Sequence, residues 1–205
     1  CLMLARELLE LTDGAFDVAL GTGLRELAID PVRHSARWTR DPAPARRVID
    51  LGGLGKGFAL DAARAVLSDW DLDAGWITSG QSTVRSLGPV DVEPVPLRDP
   101  NDPTLSVGRL LLAHRALSGS ANLGAHIVDP RDPSRAPETF HRAAWCLAAD
   151  ASVSDALSTA FLLLSSEEVA TLCARIDGVS AIWIDADGRR HSAGSPVTWE
   201  SESRG

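Results

Sequence analysis

The 205 residues fit one large domain or two small lobes, and a chain of this length buries roughly 70% of its unfolded surface without a disulfide or structural metal. Hydrophobic residues make up 44% and charged residues 23%, the composition of a folded globular protein rather than a disordered one. The net charge of −8 argues against a general nucleic-acid binder, which needs a basic stripe, but leaves room for an anionic small molecule where charge is arranged locally or a metal bridges it. Cys1, Cys146 and Cys173 form no CxxC pair, so neither a thiolate zinc site nor a redox motif is expected; Cys146 and Cys173 read as small buried hydrophobes. No apolar run reaches the roughly 18 residues of a transmembrane helix. The sequence opens on Cys1 and passes at once into an amphipathic pattern, without a signal peptide. A start part-way through a gene product explains this better than a lipid-modified cysteine, which is usually followed by a polar tether. A cytoplasmic or envelope-associated location is expected.

In chain order, residues 1–11 read as a helix with Leu2, Leu4, Leu8, Leu9 and Leu11 on a broad apolar face. "TDGAFDVAL" is a turn with a buried aromatic. Residues 32–48 are polar and proline-bearing, with "RWTR" as a short edge strand. "RRVIDLGGLG" reads as a strand entering a glycine turn. "KGFALDAARAVLSDW" is a second helix, with Phe58, Ala62, Val66 and Leu67 near helical spacing. "AGWITSGQSTVRSLG" is a hairpin. Residues 89–104 hold five prolines and read as loop or edge, and "LSVGRLLLAHRALSGSA" suggests paired strands. "AHIVDPRDPSRAPE" reads as a short strand and a turn-rich loop, and "AAWCLAA" as a buried strand. "SVSDALSTAFLLLS" is a helix capped by Ser152 or Ser154, and "SEEVATLCARID" is a further helix. "VSAIWIDADGRRHSA" closes as a hairpin around Asp187-Gly188. Strands and helices without βαβ regularity imply α+β.

Three segments could carry chemistry. "DLGGLGKGFALD" (50–61) has two readings. Its glycines shape a strand-to-helix turn beside a snorkelling Lys56, or they let the backbone approach a phosphate at a helix N-terminus, with Lys56 as a point charge. The spacing is not that of a Walker loop. In "SDALSTA", Asp155 and Thr159 stand at i, i+4 on one helix face. They form a hard-oxygen pair suited to Mg²⁺, or else a capping aspartate and a back-bonded threonine. In "AHIVDP", His126 is a candidate general base that Asp129 could orient, or a histidine packed at a strand end. His34, His114, His141 and His191 read as surface residues.

Taken together, "DGAFDVALG" (13–21), "VIDLGGLGKGFALD" (48–61), "LSGSANLGAHIVDPRD" (117–132) and "DALSTAF" (155–161) resemble the ApbE family of flavin transferases. The resemblance spans residues 1 to about 194 and implies one T-fold-related, two-lobed α+β domain with mixed or antiparallel sheets and packed helices. The domain would cover 1–198, N-terminally incomplete, with a polar tail at 199–205. Relatives transfer FMN from FAD to a Thr or Ser hydroxyl of a target flavoprotein and release AMP. The resemblance implies that Asp50, Gly52, Lys56, Gly119 and His126 bind the flavin nucleotide. The Gly53 carbonyl, Asp155 and Thr159 would hold Mg²⁺, and His126 with Asp129 would serve catalysis. The expected partners are FAD and the target flavoprotein, with no nucleic acid. Because the sequence starts in the helix that follows a flavin-holding segment in relatives, weak, metal-dependent FAD binding is expected. Alternatives are an FAD-binding module without transfer and a homologue that has lost the activity.

Overall fold

A computed structural model describes residues 1–39, 47–88, 94–99, 102, 104–122, 127–134 and 139–194. The helices are α1 (Leu2–Leu11), α2 (Gly55–Ser68), α3 (Ala151–Leu163) and α4 (Ser166–Arg175). The strands are β1 (Leu27–Asp30), β2 (Ser35–Trp38), β3 (Trp76–Ser79), β4 (Thr83–Ser86), β5 (Val95–Arg98), β6 (Ser106–Leu110), β7 (Ala116–Ala121), β8 (His141–Ala148), β9 (Ser180–Asp185) and β10 (Arg190–Gly194).

Alternation along β8 and β9 builds two cores, because successive side chains of a strand point to opposite faces. Ala144, Cys146, Ala148, Ala181 and Trp183 join α1, α3 and α4 in one cluster. Trp145, Leu147, Ile182 and Ile184 face the other way and pack with Val95, Leu97, Val107 and Leu110 of β5 and β6. The sheet between them runs β10-β9-β8-β7-β4-β3, and every pairing among the described strands is antiparallel. Helix α3 lies across β7 and β8, α2 lies against α3, β3 and β4, and α4 covers β9 and β10. The β1–β2 and β5–β6 pairs are separate two-stranded sheets.

The α+β class, α1 and the closing hairpin match the sequence reading, and α4 begins in a capping box of Ser165 and Glu168. Cys146 and Cys173 are buried, and burial raises both thiols, Cys173 to about 11, so both are inert packing groups. Other expectations need correction. Residues 47–50 join no ladder; Asp50 N–H bonds the Val18 carbonyl instead, at 2.7 Å. Residues 105–121 do form two strands, but β6 pairs with β5 while β7 pairs with β4 and β8. Residues 127–129 are not a strand, and 125–126 lie outside the described residues. The Phe58, Ala62, Val66 face of α2 turns outward; Gly57 and Leu60 are the buried positions. Neither Ser152 nor Ser154 caps α3, since their hydroxyls donate to Asp61 and to the Cys146 carbonyl.

His141 is also not a surface residue. It is buried at the start of β8, against Phe140 and the Trp183 indole. Burial, helped by His191, holds its pKa below the ordinary 6.5; the Leu164 and Phe140 main chain and Asp185 pull the other way. A depressed folded pKa means the proton favours the unfolded chain. Stability is therefore full above pH 6.5 and falls as pH drops through the folded value. In urea titrations between pH 7.5 and 5, His141→Leu should lose less stability on acidification than the wild type.

Candidate functional site

The site is built where α2 and α3 start. The first N–H groups of any helix lack internal partners. Here neither helix satisfies them with its own cap residue, Leu54 or Asp150. Each helix uses a carboxylate of the other. Asp61 of α2 accepts from Ala151 N–H at 2.9 Å and Ser152 N–H at 2.8 Å. Asp155 of α3 accepts from Gly57 N–H at 3.2 Å. A Cβ on Gly57 would sit 2.1 Å from the Ala151 carbonyl oxygen, so only glycine permits this approach. Arg85 of β4, buried, places Nε 3.5 Å from Asp61 and donates to the Ala149 and His114 carbonyls. Burial lowers the Arg85 pKa, and Asp61 opposes that shift.

In front of this crossing the turn 50–54 is tied by Gly52 N–H donating to Asp50 Oδ1 at 2.8 Å. Lys56, in the first turn of α2, bends back. Its Nζ donates to the Gly52 carbonyl at 2.7 Å and stands 3.1 Å from Asp155 Oδ1. The Asp155 side chain is 3% exposed, that of Lys56 37%. Thr83 Oγ1 reaches the same carboxylate at 3.4 Å. Ser120 Oγ lies 3.2 Å from Thr159 Oγ1 and 2.9 Å from Ser158 Oγ. A Cβ on Gly53 would press to 3.2 Å from Thr159 Oγ1 and 3.1 Å from the Phe16 ring.

This junction opens on a cleft of about 1060 Å³, at the upper end of the roughly 300–1,000 Å³ range of small-molecule pockets. Asp50, Gly52, Gly53, Lys56, Gly119 and Thr159 all line it, so the structure brings these predicted positions together. Gly119 is required by packing: a Cβ there would lie 2.6 Å from the Trp145 indole, which forms part of the wall. Asp155 sits behind Lys56 and is not itself a lining residue. The carbonyl tied to Asp155 through Lys56 is that of Gly52, one residue before the expected Gly53. Asp129 is not with the others. Arg131 grips both of its oxygens, at 2.8 and 2.9 Å, and also bonds the Leu163 carbonyl at the end of α3. Those hydrogen bonds hold the Asp129 carboxyl below the usual carboxylate range. His126 lies outside the described residues.

Sequence reasoning missed Asp17, Thr83 and Ser120 at the cleft and Asp61 and Arg85 behind it. Asp17 was legible in principle. It is an aspartate in a Gly-rich turn, and its carboxylate accepts from Ala19 N–H at 2.7 Å and Gly21 N–H at 3.0 Å. The others act across long sequence separations that no local pattern records.

The residues fit a hard divalent cation. The groups converging at the junction are oxygens: one buried carboxylate, the Gly52 carbonyl and the hydroxyls of Thr83, Ser120 and Thr159. Mg²⁺ takes such sets, with one or two carboxylates and substrate phosphates completing its shell. Among the described residues no three His, Cys, Asp or Glu side chains gather into a metal cluster, at the junction or elsewhere.

A helix N-terminus, a glycine turn and a buried aspartate thus stand together beside the cleft of an α+β domain. The chain belongs to the ApbE family, whose model matches residues 1–183. Its fold is that of the ApbE protein of Thermotoga maritima, with a TM-score of 0.78 at 22% identity, covering 94% of this chain and 74% of that one. The flavinyl transferase ApbE of Pseudomonas stutzeri, in its apo form, gives 0.77 at 17% identity, covering 96% and 74%. The flavin transferase ApbE of Vibrio cholerae gives 0.74 at 18% identity, covering 92% and 72%. No curated protein matches the chain.

Removing Asp61 should test the exchange of caps. Asp61→Ala should cost about 2–4 kcal/mol in urea denaturation, more than the roughly 1 kcal/mol of an exposed cap, because Arg85 is left buried without its carboxylate. Asp61→Asn, which keeps one acceptor, should lose less.

Proposed function

We propose that the protein transfers FMN from FAD to a Thr or Ser hydroxyl of a target flavoprotein, in a Mg²⁺-dependent reaction that releases AMP. The observation that carries this reading is the junction of Gly52, Lys56, Asp155 and Thr159 at the wall of a dinucleotide-sized cleft. Membership of the ApbE family and the likeness to flavin transferases support it.

In this reading the acceptor oxygen bonds to the phosphorus on the riboflavin side of the pyrophosphate. The bridging P–O bond breaks, AMP leaves with the bridging oxygen, and the hydroxyl proton passes to a base. His126 is the candidate base, from its place in "AHIVDP". Such transfers depend mainly on positioning and charge neutralisation. Asp155, Thr159 and a main-chain carbonyl of the 52–54 turn would hold Mg²⁺, which when bound supplies charge neutralisation at the pyrophosphate and the leaving AMP. Lys56 and the N-terminus of α2 face the phosphates. Phe16, Trp76 and Trp145 give the cleft aromatic wall for an apolar ring. Asp129, held by Arg131, would fix the chain at 129–131 rather than meet the substrate.

The test is incubation with FAD, Mg²⁺ and a domain bearing a flavinylation site, read by in-gel flavin fluorescence. Covalent label is expected, and EDTA should abolish it. His126→Ala should slow transfer by roughly 10²-fold or more while FAD still binds. FAD binding with no transfer to any acceptor would replace this reading with that of a flavin-binding module.

A further inference from the structure

We infer that Lys56 is a built-in placeholder cation: its ammonium occupies the point between the Gly52 carbonyl and Asp155 that a divalent cation needs, and leaves toward the cleft when the metal binds. The inference rests on the proposed metal site and adds a role for a residue that site does not use.

Three observations carry it. First, one ammonium meets both oxygens, at 2.7 Å and 3.1 Å, and those oxygens belong to segments a hundred residues apart. A buried carboxylate without a counter-charge is costly, so in the metal-free protein Lys56 supplies the positive charge. Second, the position uses lysine in a chain that otherwise avoids it. Lys56 is the one lysine among 20 lysines and arginines. A lysine ammonium is a compact point charge that fits between two converging oxygens, whereas a planar guanidinium fork does not. Third, the lysine has somewhere to go. Its side chain is about one-third exposed and already lines the cleft, and its four-carbon stem allows the ammonium to swing outward without moving α2.

A divalent cation bound to Asp155 Oδ1 would stand beside the ammonium, and the repulsion between the two cations at that range favours the ammonium's departure. Metal entry therefore expels Lys56. The expelled ammonium then faces the space where an anionic ligand lies, so metal and dinucleotide should bind with positive coupling, each raising the affinity for the other.

The experiment is a titration with Mn²⁺, following the free ion by electron paramagnetic resonance, on the wild type, Lys56→Met and Asp155→Asn. Lys56→Met should bind Mn²⁺ roughly tenfold more tightly than the wild type, a coupling of ordinary size. Asp155→Asn should lose binding. A second measurement needs no variant. Acetylation of the single lysine by acetic anhydride, quantified by mass spectrometry, should speed up several-fold when Mg²⁺ replaces EDTA. If Lys56→Met fails to fold, the acetylation result decides alone. Equal or weaker Mn²⁺ affinity in Lys56→Met, or acetylation indifferent to Mg²⁺ in a wild type that binds Mn²⁺, overturns the placeholder and leaves the metal site standing. Absence of Mn²⁺ binding in the wild type and Lys56→Met alike overturns the metal site itself, and the placeholder with it.

Discussion

The exchange of carboxylates between α2 and α3 is the interaction on which the rest of the site depends. Two helix N-termini converge, each with unsatisfied N–H groups and a positive dipole end. Left alone, the two ends would repel. Asp61 closes the start of α3 and Asp155 reaches the start of α2, so each helix start takes a carboxylate from the other. Gly57 lets the backbones meet closely enough for this to happen. The consequence is geometric. Asp155 cannot move without opening α2, and the turn at 50–54 is held at a fixed distance from Thr159. Binding groups on a loop acquire the precision of packed helices.

The same arrangement sets the charge at the cleft apart from that of the acidic chain as a whole. The net charge of −8 is spread over the chain, while the junction concentrates a helix N-terminus and Lys56 at one end of the cleft. Asp155 is turned inward and partly neutralised, so it costs the cleft little negative potential. Asp17 likewise faces its own loop, its oxygens occupied by the Ala19 and Gly21 N–H groups. The charge at the cleft is therefore set by its own residues rather than by the sum over the surface.

Much of the fold was legible because it is local. The apolar face of α1, the helix α4 and the Asp187-Gly188 hairpin each follow from residues within a few positions of one another. The i, i+4 spacing of Asp155 and Thr159 and the glycines at 52–57 marked the site for the same reason. What failed is non-local. The apolar stripe of Phe58, Ala62 and Val66 has the period of a buried face, yet burial on α2 is set by the partners it meets, which are α3 and the edge of the sheet at β3 and β4. The strand pairing of β6 depends on β5, inside a proline-rich stretch that reads as loop or edge. His141 looks like any polar strand residue until Trp183 and the main chain after α3 close over it. The partner of the α3 cap lies 90 positions away and leaves no trace in the helix's own sequence.

The glycines of "DLGGLGKGFALD" therefore do not make a flexible loop. Gly57 is fixed by the Ala151 carbonyl and Gly53 by Thr159 and Phe16, two contacts that a single Cβ would spoil. Between them the spacing is set, and Lys56 is the one side chain in that interval that both lines the cleft and reaches the buried carboxylate. A glycine turn leading into a helix start can thus be specified without the spacing of a Walker loop. What it needs is close backbone approach at two points, a helix start between them and one mobile positive charge. Those requirements constrain a handful of contacts rather than the whole sequence.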